Sequence, residues 1–589
     1  MSNLDKPAPW PRLTIAIALS LQLFVLLPGT IYIGNLVEFI TPPGAIIMLL
    51  LIPMLLLIAI IFVTGMLLTS KSHTRFISIL AGFTVLLWIQ GSLYIWDYGP
   101  LDGRNIDWNA GAWRGWLDLA TWLLVLGLSW RWATRFQRSL VMAAVSCCAI
   151  QGISLAISIA KNVDALQVQS RGKSTENALA EMSRFSATRN VLHIILDSFQ
   201  SDIFKNIVTT APQSERYRAA LEGFTFFEDH LGVFPYTQFA LPALLGAPSY
   251  HNDMPKREYV QKAFSGNTIL NAAFNAGYEV DLASPETLLL DMLARGHHKN
   301  LYNTWEGTHI TGGGRNQSEA LKLLDLSLFR VTPHKFKRHI YADQKWIFQR
   351  FLPGTDFLNF TYFTDNFFLQ TLTRTLVADR QTPVYKFFHL MNTHAPMVVG
   401  PDCSFAGRAL MRNRETVTAQ SRCSLDYLIA LLDQMKKSGI YDNTLIILMG
   451  DHGGHIPPDN YTPESVTEND VTYAIDPWLV AMSSPLMLIK PPGAHGEFQV
   501  SAAQSSITDT AQTINSIMSL GGTFGDDSIL DLSPMEQRTR LFHYYAWQKS
   551  DYTTDYAAPI QQFRILGDHH KAASWHLGES YPAPKSRAR

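Results

Sequence analysis

The sequence predicts an α-helical membrane domain of five spans followed by an α/β domain built on a central mixed sheet. Three observations carry this expectation. Five apolar stretches of near-bilayer length fall within the first 160 residues, charges are sparse there and denser afterwards, and from Val191 onward short apolar runs alternate with amphipathic helical segments. The 589 residues carry a net charge of -1 with only 16% charged side chains, a balance that excludes a nucleic-acid binder. Four cysteines are too few for a disulfide scaffold or a cysteine-rich zinc module.

The spans are expected at Leu13 to Ile33, Gly44 to Leu68, Phe76 to Trp96, Trp116 to Trp132 and Ser139 to Ala160. The fourth is the weakest, because Asp118 and Arg131 shorten its apolar stretch. Trp10, Trp96, Trp113, Trp116, Trp130 and Trp132 fall near span ends, where an amphipathic indole prefers to lie. Lys6, Arg12, Lys71, Arg75, Arg131, Arg135 and Arg138 belong to one set of short loops, against only Arg104 and Arg114 in the other, so the first set is cytoplasmic. An odd number of spans then exports everything after Lys161. The first segment lacks a convincing small-residue cleavage site and reads as a retained span rather than a signal peptide.

The expected domain boundaries are 1–160 for the membrane domain, 161–190 for a polar juxtamembrane linker with one short helix, 191–540 for the catalytic domain and 541–589 for a strand-rich C-terminal extension. Strands are expected at Val191 to Leu196, Tyr278 to Leu282, Val384 to Met391, Thr444 to Met449 and Leu486 to Ile489. Helices are expected at Ser214 to Leu221, Asn267 to Ala276 and Ser424 to Lys437. Cys403 and Cys423 lie in the exported part, where a disulfide is chemically permitted, whereas Cys147 and Cys148 read as apolar thiols inside the fifth span.

Three of these strands run into residues capable of chemistry: the first into Asp197, the third through Asn392-Thr393 into His394, and the fourth through Gly450 into Asp451-His452-Gly453-Gly454. In open α/β sheets the ligand crevice lies at the carboxyl ends of the strands, which brings residues distant in sequence together. Carboxylates with an imidazole offer a divalent cation hard oxygens and one nitrogen. Asp197 alone serves equally well as the cap of a following turn, whereas the Asp-His-Gly-Gly tetrad argues for a ligand. His193, His230, His389, His334 and His339 read as ordinary buried or exposed histidines, and His495 as a candidate of lower rank.

A fourth element, Phe234-Pro235-Tyr236-Thr237-Gln238-Phe239, completes a set that resembles the alkaline phosphatase superfamily in its sulfatase-like branch. In layout the chain is similar to the membrane-embedded lipoteichoic acid synthases and lipid A phosphoethanolamine transferases. The resemblance implies an alkaline-phosphatase-like catalytic fold, Thr237 as nucleophile and metal ligand, Asp197, Asp451 and His452 as the remaining metal ligands, and His394 as a substrate contact. His455, three residues beyond His452, is assigned to the substrate as well, with second-metal ligand or proton donor as its other roles. One divalent ion is implied, zinc or manganese ahead of magnesium, with room for a second. Formylglycine sulfatases carry Pro two positions and Arg four positions after the nucleophile, where this chain has Phe239 and Leu241, and phosphoethanolamine transferases typically have Glu where it has Asp197.

The expected activity is transfer of a phosphorylated head group from a membrane phospholipid, through a phospho-threonine, to a hydroxyl of an envelope glycan or glycolipid. A membrane-tethered phosphodiesterase or phosphatase and a non-catalytic lipid sensor are the alternatives. The expected setting is a bacterial inner membrane, with the N-terminus cytoplasmic and the catalytic domain periplasmic or extracellular. No nucleic-acid partner is expected, and the oligomeric state is left open.

Overall fold

The structure, a computed structural model, describes the chain except residues 1–8, 37–38, 40, 99–100, 102–105, 110, 164–165, 167–176, 286, 306–311, 343–345, 352–361, 455, 460, 469, 526, 548–553 and 585–589. The chain divides into two compact units. One comprises residues 1–170, 309–360 and 407–411, and the other residues 171–308, 361–406 and 412–589.

The first unit is helical. Pro9–Leu21 (α1) continues through a π-helical turn at Gln22–Leu26 into Leu27–Ile33 (α2), followed by Pro43–Leu67 (α3), Ser70–Ser92 (α4), Trp113–Arg131 (α5) and Ala133–Lys161 (α6). Four helices among the described residues are long and apolar enough to cross a membrane: Trp10–Ile33, Pro43–Leu67, Ser70–Ser92 and Ala133–Lys161. The fourth expected span forms as helix α5, but Arg114, Asp118 and Arg131 leave it short of that standard, so five spans by sequence become four by composition. It nevertheless lies antiparallel to α4. Trp122 Nε1 donates to Gln90 Oε1 (3.2 Å), Tyr94 and Thr121 hydroxyls meet at 3.1 Å, and Trp96 Nε1 donates to Asp118 Oδ1 (3.4 Å). Helix α6 runs parallel to α1, with Cys148 Sγ beside Ala18 O (3.4 Å) and Gln22 beside Gln151 (3.4 Å). Arg12, Gly65 and His73 therefore gather at one end of the bundle, and Thr41, Gly91 and Trp113 at the other. Helix α3 exposes Met48, Ile52, Leu55, Leu56 and Ile60, an apolar surface suited to lipid.

A segment that begins at Gly312 interrupts the catalytic region expected to run continuously from 191 to 540, and its described helices pack in the helical unit. Gly312–Val331 (α7) lies against α2, α3 and α4, and His334–Tyr341 (α8) against α5. The cause is an apolar stripe on α7: Ala320 and Leu323 join Ile31, Tyr32, Ile46 and Leu50, and Val331 joins Leu27 and Leu87.

The second unit is built on an eight-stranded sheet: Asn190–Leu196 (β1), Thr225–Phe227 (β2), Glu279–Ser284 (β3), Asn300–Asn303 (β4), Val384–Leu390 (β5), Thr444–Met449 (β6), Met487–Lys490 (β7) and Gln499–Ser501 (β8). The spatial order is β8-β2-β7-β6-β1-β5-β3-β4, and β7 alone runs against the others. The sheet is thus mixed, as expected, around the parallel core β6-β1-β5-β3-β4. β1, β5 and β6 are buried at every residue, the mark of strands covered on both faces. The expected helix at Ser424 begins earlier, at Arg414 (α9, Arg414–Lys437), where Asn413 and Thr416 form a reciprocal capping box.

The C-terminal extension is a three-stranded antiparallel sheet, Thr539–Tyr544 (β9), Ile560–Leu566 (β10) and Trp575–Tyr581 (β11), with Phe542, Phe563, Ile565 and Trp575 in its core. Within the expected linker Ala178–Met182 is helical and Arg184–Ser186 pairs in parallel with Val377–Arg380. Cys403 and Cys423 are joined by a disulfide, with Cα atoms 5.4 Å apart.

Candidate active site

The carboxyl ends of β1, β5 and β6 stand side by side, so the residues that follow them meet. β1 ends at Leu196, and the Asp197 N–H donates to Leu390 O at the end of β5 (2.9 Å) while Asp197 O accepts from Thr393 Oγ1 (2.7 Å). Ser198 then takes a left-handed backbone conformation, φ 61°. This turns its N–H toward Asp451 Oδ1 (3.3 Å) and its hydroxyl toward Asp197 Oδ1 (2.9 Å). Asp451 and His452 follow β6 through Gly450. Gly453 packs so closely that an added Cβ would lie 1.9 Å from Ala481 O, which explains the glycine after the histidine.

Thr237 opens the helix Thr237–Leu244, and its Oγ1 donates to Asp197 Oδ2 (3.1 Å) and lies 3.4 Å from His452 Nε2. His452 Nε2 is 3.6 Å from both Asp197 Oδ1 and Asp451 Oδ2. His452 Nδ1 lies 2.8 Å from Gly453 O, which can only accept, so the proton sits on Nδ1 and Nε2 keeps its lone pair for the site. The structure therefore brings Asp197, Thr237, Asp451 and His452 together. His394 Nε2 lies 4.0 Å from Asp197 Oδ1 with a third of its side chain exposed, at the rim rather than among the four. The packing around this imidazole, together with Arg412 and His452, pushes its pKa below the usual value against the pull of Asp197. His455 lies outside the described residues.

One participant departs from the sequence reading. His389, expected to be an ordinary histidine, has Nε2 3.5 Å from Asp197 Oδ2 and 3.7 Å from Asp451 Oδ2. Asp197, His389 and Asp451 converge closely enough to hold one ion. The available signal is its place beside the end of β5, opposite Ile195 and two residues short of Asp197 on the neighbouring strand. Asp365, also unremarked in the sequence, accepts from the Met391 N–H (2.6 Å) and from the Thr304 hydroxyl, fixing the end of β5. Burial raises its carboxyl to about 6.

The donor set fits a divalent metal. Asp197 and Asp451 are 2% and 0% exposed, and among the described residues neither is paired with a lysine or arginine; the side chains nearest their carboxylates are imidazoles and the Thr237 hydroxyl. Asp451 Oδ2 is buried without a hydrogen bond. Two desolvated carboxylates this close repel one another unless a cation lies between them. A second acid-histidine grouping, Asp229, Asp568, His569 and His570, differs in kind. There Arg540, with no exposed side chain, holds Asp229 at 3.0 Å and supplies the positive charge itself.

The sulfatase family model matches residues 189–520, more than half of the chain. The chain belongs to the sulfatase family. The sulfatase-family domain covers β1 to β8 and every residue of the site described above, and its chemistry is of the phosphoryl or sulfuryl transfer kind with a divalent metal. No curated protein matches the sequence. Among solved structures, a 2-O GAG sulfatase aligns at 11% identity over 67% of this chain and 85% of that one, with a TM-score of 0.37. The C-terminal periplasmic domain of EptC from Escherichia coli aligns at 13% identity over 60% and 89%, with a TM-score of 0.33. The lipoteichoic acid synthase LtaP from Listeria monocytogenes aligns at 11% identity over 69% and 92%, with a TM-score of 0.34.

Proposed function

We propose that this sulfatase-family protein transfers a phosphorylated head group from a membrane phospholipid, by way of Thr237, to a hydroxyl of an envelope glycan or glycolipid. The observation that carries the reading is the Thr237 hydroxyl, held between Asp197 and His452 at the opening of a helix, over two buried carboxylates without a lysine or arginine. Asp197, Asp451, His452 and Thr237 would hold the metal, with His389 as a further nitrogen donor, and two imidazoles beside the oxygens favour zinc or manganese over magnesium. When bound, the ion lowers the pKa of the threonine hydroxyl and offsets the charge that develops on the transferred group.

The residues of the chain do the rest. Thr237 Oγ attacks phosphorus, forming the threonine ester as the bond from phosphorus to the lipid oxygen breaks. The diacylglycerol departs with a proton, and His394 at the rim is placed to meet the leaving group or the phosphate. An acceptor hydroxyl then attacks the same phosphorus from the side the lipid vacated, losing its proton and restoring Thr237. A threonine followed by Phe239 and Leu241 supports direct use of the hydroxyl rather than a formylglycine.

The helical unit supports a lipid donor, because a substrate that never leaves the bilayer meets an anchored enzyme at high local concentration. We place the N-terminus in the cytoplasm and the catalytic unit outside, in an inner membrane. Arg12, Lys71, Arg75, Arg131, Arg135 and Arg138 cluster toward one end of the bundle, and the Cys403–Cys423 disulfide suits an oxidising compartment.

The test incubates full-length protein in nanodiscs with phospholipid labelled in its head group and each divalent metal in turn. Label on Thr237, lost in Thr237→Ala with folding intact, is the expected result. Labelled Thr237 that discharges only to free phospho-alcohol in the presence of glycan makes the protein a hydrolase instead. No label under any metal leaves a lipid sensor.

A further inference from the structure

The short helix α8 is held unusually firmly for eight residues. The His334 N–H at its start donates to Asp118 Oδ2 (2.7 Å), a fully buried carboxylate on α5. His334 Nδ1 meets the Tyr98 hydroxyl at 2.7 Å, and its Nε2 lies 3.2 Å from Trp108 O. The preceding turn is pinned by Arg330 Nε donating to Gly91 O at the end of α4 (2.8 Å). Gly115 gives the closest approach, since a Cβ there would lie 2.7 Å from Lys335 Cγ. Asp118, a carboxylate on a helix of the membrane bundle, thus serves to dock α8 by its positive N-terminal end.

This docking fixes which side of α8 faces away. His334, Lys337, Ile340 and Tyr341 are buried, while Lys335, Phe336, Arg338 and His339 are exposed. Phe336 is 50% exposed, and Trp113 and Trp116, in the first turn of α5, are 60% and 66% exposed. Lys335 Nζ sits 3.0 Å from the centroid of the Trp116 ring. Among the described residues neither Lys335, Arg338 nor His339 forms an ion pair. The patch is basic and aromatic, and it lies at the bundle end marked by Gly91 and Trp113, where indole rings belong at the head-group level.

We propose that the exposed face of α8, with Trp113 and Trp116, binds the phosphate-bearing head-group layer of the bilayer, preferring anionic phospholipid. Lys335 and Arg338 meet the phosphates, and Phe336 enters the acyl boundary between them with Trp113 and Trp116 at the same level. Each cation near an anionic surface changes partition by roughly fivefold. The proposal depends on the helical unit lying in a bilayer and is independent of the chemistry at Thr237.

The test uses the full chain in nanodiscs of phosphatidylcholine with or without phosphatidylglycerol. Phe336→Cys on a Cys147→Ser, Cys148→Ser background carries a fluorescent label. Quenching by a head-group nitroxide lipid is expected to exceed quenching by aqueous iodide several-fold, and to rise with phosphatidylglycerol. Lys335→Glu with Arg338→Glu, without any label, is expected to lower the enrichment of phosphatidylglycerol around the protein by an order of magnitude. A label quenched by iodide and not by the nitroxide places the face in water, and one shielded from both places it under a protein; either result overturns the proposal. Unchanged lipid enrichment in the unlabelled double variant does so as well, even where the labelled variant fails to fold.

Discussion

Replacing Gly453 by alanine puts a methyl carbon 1.9 Å from the Ala481 carbonyl oxygen and 3.0 Å from both the Ala481 carbonyl carbon and the Ser484 nitrogen. All three neighbours are backbone. The Gly453 N–H also donates to Met482 O (2.9 Å), so the loop and the 481–484 segment are tied at the point of collision. An ordinary carbon-oxygen contact needs about 3.3 Å, so the two must part by roughly 1.4 Å. Gly453 is one residue from His452 and two from Asp451, and metal-ligand distances tolerate only about ±0.2 Å. We expect metal affinity to fall at least 10- to 100-fold, the loss usual when groups that orient ligands are disturbed, with about 1–3 kcal/mol of destabilisation from overpacking. Gly439→Ala is the control: φ is 70° and no atom lies within 4 Å of an added Cβ, so it costs about 1 kcal/mol of backbone strain and leaves the metal untouched. Calorimetric zinc and manganese titration of the purified full chain, with thermal melts alongside, measures both terms. Metal affinity in Gly453→Ala within twofold of the parent would refute the assignment of this loop as a metal-holding element.

Arg540→Met removes the cation from buried Asp229 and is expected to cost about 3–5 kcal/mol, whereas Lys205→Ala, which breaks a more exposed pair with Glu228 at 2.6 Å, is expected to cost under about 1 kcal/mol. Thermal melts of the two variants giving equal shifts would contradict the role assigned to Asp229. Burial, helped at His230 by Arg540 and His569, lowers the imidazoles of His193 and His230 to about 3 from 6.5. Because the folded pKa lies below the unfolded one, the unfolded chain binds the extra protons. The contribution is therefore complete above about pH 6.5 and is lost as pH falls toward about 3, by about 1.4 kcal/mol per pH unit for each histidine. Unfolding midpoints at pH 7 and pH 5 should separate accordingly, and His193→Gln should flatten the slope by one proton; an unaltered slope in that variant would show that His193 does not contribute.

Much of the site was legible because its elements are local. A parallel strand covered on both faces is a continuous apolar run, and the polar residue that ends it stands out, as Asp197, His394 and Asp451 do. The same burial hid His389. In a strand buried at every residue the alternation of faces leaves no trace in composition, so nothing local distinguishes His389, facing the site, from His193, which meets Tyr385 and Met449 in the interior. The edge strands β4 and β8, and β2 beside β8, have three or four residues and are too short to show a period.

The amino-acid sequence by itself determined the apolar helices, the strands β1, β3, β5 and β6, and the placing of Asp197, Asp451 and His452 after strand ends; Thr237 joined them through the family resemblance. Tertiary structure alone decided that His389 joins them, that helices α7 and α8 pack with the helical unit, and that Asp229, Arg540 and His569 form one buried network. The division has a physical cause. Helix formation and strand burial are written in the spacing of neighbouring side chains, whereas a partner hundreds of residues away is chosen by packing and by the need of every buried charge for a counter-charge, which no local pattern records.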